Sequence, residues 1–343
     1  MVFGALLVIL DIHAIPQNKA VRHDNKRIEF ESGQFKVVGE LRIPSGEGKY
    51  PLVIMVHGDG PAWRNYFYTL KKCFLRAGYA TMMWDKPGTG QSTGKFSLQH
   101  LQAERAEILL DAIESVRSHP RIDPNRIGVW GISQSGYVIP RALEKTENIT
   151  FMILVGVAGQ NGIEQTAFFV SQQIQCEGYS EDEAKEAERL AVNVLIAKTY
   201  DEYVANGKAL LEKFPIVKDL DFMAGILPEE RWKPKDPEGE AYFNPISIIE
   251  RTKIPTLVVL GEKDRNVDPI QAAEAYAKAL TKAGNPNFRV ELFPGADHNI
   301  ILCETGCQKE RNKRSRTEWA NYAPEYLELM EDWLQKIQDS SDR

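Results

Sequence analysis

Arg126-Ile-Gly-Val-Trp-Gly-Ile-Ser-Gln-Ser-Gly136 is a short apolar run that breaks up at Gly131-Ile132-Ser133-Gln134-Ser135. Helix-compatible residues, Tyr137 to Leu143, follow it. Runs of small residues are common by chance, so the flanking chain decides the weight of this one. Pro51–Val56, Phe151–Val157 and Thr256–Leu260 are almost wholly apolar, as strands buried on both faces of a parallel sheet should be. Tyr79–Trp84 and Phe288–Phe293 read as two more strands. Asn65–Ala77 and Gln271–Ala283 read as helices, each stopped by a glycine. Leu98–Ser118 carries Leu101, Ile108, Leu109, Ala112, Ile113 and Val116 at helical spacing. Arg27–Pro44 reads as an antiparallel hairpin about Ser32-Gly33, and Asp123-Pro124-Asn125 as a turn into the quoted stretch. The class is α/β with a mostly parallel central sheet and helices on both faces.

In that setting the Gly131–Ser135 run resembles the nucleophile elbow of the α/β-hydrolases, a strand that turns sharply into a helix with serine at its tip. The resemblance implies a strained, positive-φ Ser133 and small residues two before and two after it. Gly131 and Ser135 satisfy this, although the family pattern has glycine at the second place. Ser135 as nucleophile would put Tyr137 at the crossing, where it is too large. Further motifs agree in order. His57-Gly58-Asp59-Gly60-Pro61 follows a core strand and is similar to the His-Gly oxyanion loop, which makes the Asp59 and Gln134 backbone N–H groups the expected oxyanion donors. His57 itself is expected to be a structural hydrogen-bonder. Asp85-Lys86-Pro87-Gly88-Thr89-Gly90-Gln91-Ser92 is similar to the Asp-x-x-Gly-x-Gly-x-Ser turn of these enzymes and is expected to be structural. The likeness runs through nearly all of the chain from Arg27. It extends to bacterial esterase-like enzymes and to hydrolases related to acylaminoacyl and dipeptidyl peptidases.

The family order is serine, then acid, then histidine. Of six histidines only His298 follows Ser133, and it lies just past the last strand. The acid belongs just past the preceding strand, where Asp264 stands. Asp268 is the runner-up and better suited to cap the next helix. Glu262 and Asp297 are weaker candidates, the latter too near His298 in sequence to orient its ring. Ser133, Asp264 and His298 are therefore the expected catalytic set.

The 343 residues allow one large domain with an insertion. The expected division is an N-terminal segment over 1–26, core over 27–159, a helical cap over 160–245 and core again over 246–343. Within 160–245, Ser180–Lys198 and Asp201–Phe214 read as helices, and no buried-strand pattern appears. Phe168, Phe169, Phe214, Phe222, Trp232, Tyr242 and Phe243 could line an acyl pocket, or simply pack the cap. Trp319–Ile337 reads as a closing helix, and Arg311, Lys313, Arg314 and Arg316 as a solvated basic loop.

A net charge of −6 argues against nucleic acid and anionic membranes as partners. Val2–Leu10 is apolar but too short to span a bilayer, so stable membrane insertion is not expected. Two readings of it stay open: an export-signal remnant, implying a secreted or periplasmic protein, or an extra structural element of a cytoplasmic one. Of the four cysteines, Cys303 and Cys307 are close enough in sequence for a local bridge, with two unpaired thiols the alternative. No metal or cofactor is implied.

These residues point to a serine carboxylesterase acting on small to medium acyl esters. A serine peptidase or amidase is the rival enzyme, and a hydrolase-fold binding protein without turnover the rival of another class. Serine at position 133 excludes the dehalogenases and epoxide hydrolases of this fold, which use aspartate there.

Overall fold

The computed structural model describes residues 21–96, 101–220, 225–315 and 318–341. The apolar segment Val2–Leu10 and Phe222 lie outside the described residues. Eight strands form one sheet: β1 (His23–Ser32), β2 (Phe35–Pro44), β3 (Tyr50–Val56), β4 (Ala80–Trp84), β5 (Ile122–Ile132), β6 (Met152–Val155), β7 (Thr256–Gly261) and β8 (Phe288–Phe293). Their spatial order is β1-β2-β4-β3-β5-β6-β7-β8. The β1–β2 hairpin joins β4 antiparallel, and β4, β3, β5, β6, β7 and β8 are mutually parallel.

The helices in chain order are α1 (Tyr68–Arg76), α2 (Leu101–Arg117), α3 (Ser135–Leu143), α4 (Gly162–Cys176), α5 (Glu181–Leu195), α6 (Tyr200–Lys213), α7 (Ile246–Ile249), α8 (Pro269–Lys282), α9 (Gln308–Asn312) and α10 (Tyr326–Ser341). Alternate strand residues face opposite ways. Leu52, Ile54, Val129, Leu154 and Val258 pack with α2, α3 and α8 on one face. Val53, Met55, Trp130, Ile153 and Val259 pack with α1 and α10 on the other. Both faces are covered, which is why these strands read as unbroken apolar runs rather than alternating ones.

Three elements differ from expectation. Asp123-Pro124-Asn125 lies inside β5, where the pairing with β3 shifts register between Tyr50 and Leu52. The Asp123 carboxylate accepts from the Asn125 N–H at 3.0 Å, so the turn chemistry is present but folded into the strand as an irregularity. The first helix starts at Tyr68 because Phe67 before it is left-handed (φ 55°). The closing helix starts at Tyr326, and Trp319 sits instead in a separate 3₁₀ turn, Glu318–Ala320.

Between β6 and β7, α4, α5 and α6 build a core of their own from Phe169, Val170, Ala187, Ala191, Leu210 and Phe214. Each begins in a capping box, led by Asn161, Ser180 and Thr199. Trp232 stacks on Tyr203 (5.4 Å, 25°), and Phe243 lies under the Arg141 guanidinium at 3.8 Å. Trp232 and Phe243 are thus engaged in packing.

The bridge joins Cys176, at the end of α4, to Cys307, 131 residues away, and Cys303 is free. Of the two readings left open, neither holds: Cys303 and Cys307 are not bridged to each other, and only Cys303 of the two is unpaired. The bridge ties the helical insertion to the segment after His298. The solvated basic loop is corrected at two of its four residues; Lys313 is exposed as expected, and Arg316 lies outside the described residues. Arg314 turns inward to pair with the buried Asp297, and Arg311 reaches the Asn266 side chain at 3.0 Å. No described helix is long and apolar enough to cross a membrane.

Candidate functional site

Ser133 sits between the end of β5 and the start of α3 with φ 57°, a left-handed conformation for a residue with a side chain. The turn is held from both sides: the Ser133 N–H donates to the Val155 carbonyl at 2.9 Å, and its carbonyl accepts from the Gly136 N–H at 2.9 Å. Strand and helix cross so closely that a Cβ on Gly131 would stand 2.8 Å from Ser135 Cβ. That space admits no side chain at 131. It does admit Ser135, whose hydroxyl is fully buried with no hydrogen-bond partner among the described residues.

His298 and Asp264 lie on the loops after β8 and β7. His298 Nδ1 is 2.7 Å from Asp264 Oδ2, and both residues are buried. The other carboxylate oxygen accepts the N–H groups of Asn266 (2.7 Å) and Val267 (3.1 Å). The ring lies against the end of β6, since a Cβ on Gly156 would come within 3.0 Å of His298 Nδ1. Ser133 and His298 thus flank the dipeptide Val155-Gly156, one bonded to its first residue and one packed on its second. The ring is bonded to its acid, and among the described residues no hydrogen bond joins it to Ser133 Oγ. Such bonds are often long until substrate docks.

The other candidate acids have separate tasks. Asp268 caps α8, accepting from Ile270 and Gln271, both at 3.0 Å. Glu262 accepts from the Gly295 N–H at 3.0 Å. Asp297 holds the backbone around His298 through the N–H groups of Asn299 (2.8 Å) and Ile301 (3.2 Å).

The loop after β3 passes directly over the serine. A Cβ on Gly58 would stand 3.1 Å from Ser133 Cβ and 3.3 Å from the Ile132 carbonyl. Glycine there lets the backbone pass this close to the serine. Gln134 leads α3 from the other side. The His57 ring packs edge-on to Trp84 (5.8 Å, 80°), and burial, then the charges of Lys86 and Arg105, push its pKa well below the ordinary imidazole value. The part of His57 held by a side-chain donor is its carbonyl, which accepts from Arg105.

Two buried basic side chains beneath this loop were not singled out from sequence. Lys86 Nζ donates to the carbonyls of Gly58 and Gly60, each at 2.6 Å. Arg105 donates to the His57 carbonyl and to Gln134 Oε1. Burial and the Arg105 charge push the Lys86 amine down to about 6, and burial lowers Arg105 to about 10, with Asp59 acting the other way on both. Arg105 did carry a signal, since it falls on the apolar face of α2, three and four residues before Ile108 and Leu109. Lys86 carried none, hidden in a turn motif where a lysine is unremarkable. The turn is structural as expected: Asp85 accepts from the N–H groups of Arg64 (2.7 Å) and Gln91 (2.9 Å).

Comparison with known proteins adds to this geometry. A model of the prolyl oligopeptidase family matches residues 208–327, a span that holds Asp264 and His298 but not Ser133. An uncharacterized 31.7 kDa protein encoded in the traX-finO intergenic region of Escherichia coli is 23% identical over 290 residues, covering 81% of this chain and 93% of that protein. The solved structure of an esterase from Pyrococcus furiosus superposes with a TM-score of 0.55 at 16% identity, covering 92% of this chain and 93% of that one. An acylaminoacyl peptidase from Pyrococcus horikoshii also gives 0.55, at 17% identity, covering 91% of this chain and 42% of that one. At such identities the likeness speaks for the chain trace, and the chemistry has to be argued from the residues.

Proposed function

We propose that this chain, an α/β-hydrolase by fold, is a serine hydrolase that cleaves small to medium carboxylic esters through an acyl-enzyme. Ser133 is the nucleophile, His298 the general base and Asp264 the residue that orients it. The observation that carries this is the His298–Asp264 bond of 2.7 Å, with the second Asp264 oxygen saturated by backbone. An acid held that way can turn only toward the ring.

A free serine hydroxyl is a poor nucleophile. Asp264 accepts from Nδ1–H, so Nε2 is left as the acceptor of the Ser133 proton when attack begins. The tetrahedral oxygen is received by the N–H groups of Asp59 and Gln134, one from each side of the serine. Each such donor is worth about 10²–10³ in rate. The imidazolium then protonates the leaving alkoxide, and water repeats the sequence to free the acid. The helices between β6 and β7 act as a cap that shapes access and excludes water.

A peptidase or amidase activity is the second reading, supported by the family model over 208–327 and by the acylaminoacyl peptidase likeness. A binding protein without turnover has no use for so closely built an acid–base pair. The test is a panel of p-nitrophenyl acyl esters of increasing chain length, with an aminoacyl-p-nitroanilide beside it. Hydrolysis of the esters, lost in a folded Ser133→Ala protein, is the expected result. Faster turnover of the anilide would favour the peptidase, and full activity in Ser133→Ala would end the serine mechanism.

A further inference from the structure

We propose that Lys86 and Arg105 are positioning residues of the oxyanion hole, a clamp that aims and polarises the peptide units facing Ser133. The proposal rests on the serine-hydrolase reading above and adds two residues to it.

The reasoning starts from the planar trans peptide, in which the C=O and N–H of one unit point opposite ways. The N–H of Asp59 belongs to the same unit as the carbonyl of Gly58. Lys86 Nζ holds that carbonyl at 2.6 Å, so the N–H is aimed away from the lysine. The Gly58 backbone in turn lies over the serine. A donor on the carbonyl also draws electron density from the N–H, making it a better donor in turn. The second bond of Lys86, to Gly60 at 2.6 Å, falls on a carbonyl whose peptide partner is Pro61, which has no N–H. It aims nothing and serves to fix the loop.

Arg105 works on the neighbouring unit and across the site. It holds the His57 carbonyl and, with the same guanidinium, the side chain of Gln134, the residue that supplies the second donor. One rigid planar group thus sets the spacing between the two halves of the hole. The lysine is itself tied to the loop it holds. Its N–H donates to the Ala62 carbonyl at 3.0 Å, and Thr89 Oγ1 bonds the same carbonyl at 2.7 Å. Both side chains are buried, and the Asp59 side chain, with an Oδ1 that is buried and unpartnered among the described residues, acts on both electrostatically. Burying a lysine amine and a guanidinium is costly, and a loop needing only to close could be held by smaller donors.

The test uses Lys86→Met, Arg105→Met and the milder Arg105→Lys, each checked for folding by its melting transition. A fluorophosphonate that labels the native enzyme and not Ser133→Ala first secures the underlying reading. Failure to label the native enzyme would sink that reading rather than the clamp. With labelling secured, kcat on a p-nitrophenyl ester should fall about 10- to 100-fold in folded Lys86→Met, with KM within about threefold of native. Inhibition by a tetrahedral mimic, a trifluoromethyl ketone, should weaken by a similar factor. Arg105→Lys keeps a donor for the His57 carbonyl but gives up the bond to Gln134 Oε1, so its kcat should fall below native yet stay above that of Arg105→Met. If Lys86→Met and Arg105→Met fail to fold, Arg105→Lys alone decides, with an unchanged kcat overturning the clamp. Native kcat and inhibitor affinity in the folded methionine variants would overturn it too, as would a loss confined to KM.

Discussion

Replacing Asp264 by asparagine separates orientation from packing at this site. The carboxylate has two differentiated oxygens: Oδ1 takes the N–H groups of Asn266 and Val267, and Oδ2 faces His298 Nδ1 at 2.7 Å. Asparagine is nearly the same shape, and its single carbonyl oxygen will stay with the two backbone donors. Its NH₂ then replaces Oδ2 and points donors at Nδ1. The ring must answer by presenting Nδ1 as acceptor and placing its proton on Nε2, the atom that receives the serine proton in the proposed mechanism. The expected loss is about 10⁴ in kcat, about 5.4 kcal/mol of transition-state stabilisation. The melting temperature should move little, because both backbone bonds survive. The assay is steady-state hydrolysis of a p-nitrophenyl ester, with a thermal melt on the same preparation. Asp268→Asn is the control. It caps α8, and asparagine caps as well as aspartate, so activity and melting should both stay near native. A loss below tenfold in Asp264→Asn, or an equal loss in Asp268→Asn, would refute the assignment of the acid.

Ser135→Ala should stabilise the fold by about 1 kcal/mol, since it removes a buried hydroxyl without a partner and keeps the Cβ that fits the crossing; a urea midpoint that falls would count against this. Lys86 titrates near 6 in the fold against 10.5 in the unfolded chain, so unfolding takes up a proton throughout that window and stability from this group rises with pH across it. The slope is at most about 1.4 kcal/mol per pH unit, and urea midpoints at pH 7, 8 and 9 should depend less on pH in Lys86→Met than in the native chain. Opening the Cys176–Cys307 bridge by Cys176→Ser should lower stability by about 2–5 kcal/mol, because the bridge closes a loop of 131 residues. An unchanged melting temperature in that variant would mean that the insertion is held by packing alone.

Much of the site was legible because its constraints are local. A serine at the tip of a strand–helix turn demands small neighbours at fixed offsets, and Gly131 and Ser135 are written into the chain. His298 is the sole histidine after Ser133, and Asp264 stands just past an apolar strand. Helix caps obey the same short-range rule, which is why Asp268 was readable as a cap. The core strands announced themselves because both sheet faces are covered, so burial is continuous along the chain.

The tertiary structure alone decided whatever depends on residues far apart in sequence. Cys307 pairs with Cys176 across 131 positions rather than with its near neighbour Cys303. Arg314 leaves the solvent for the buried Asp297, and Lys86 and Arg105 lie buried under a loop that comes between 26 and 48 residues earlier. A buried charge is tolerated only where partners converge on it, and those partners come from separate loops. Periodicity reports which face of an element is apolar; it carries no information about which distant carbonyl will meet a buried ammonium or guanidinium once the layers close.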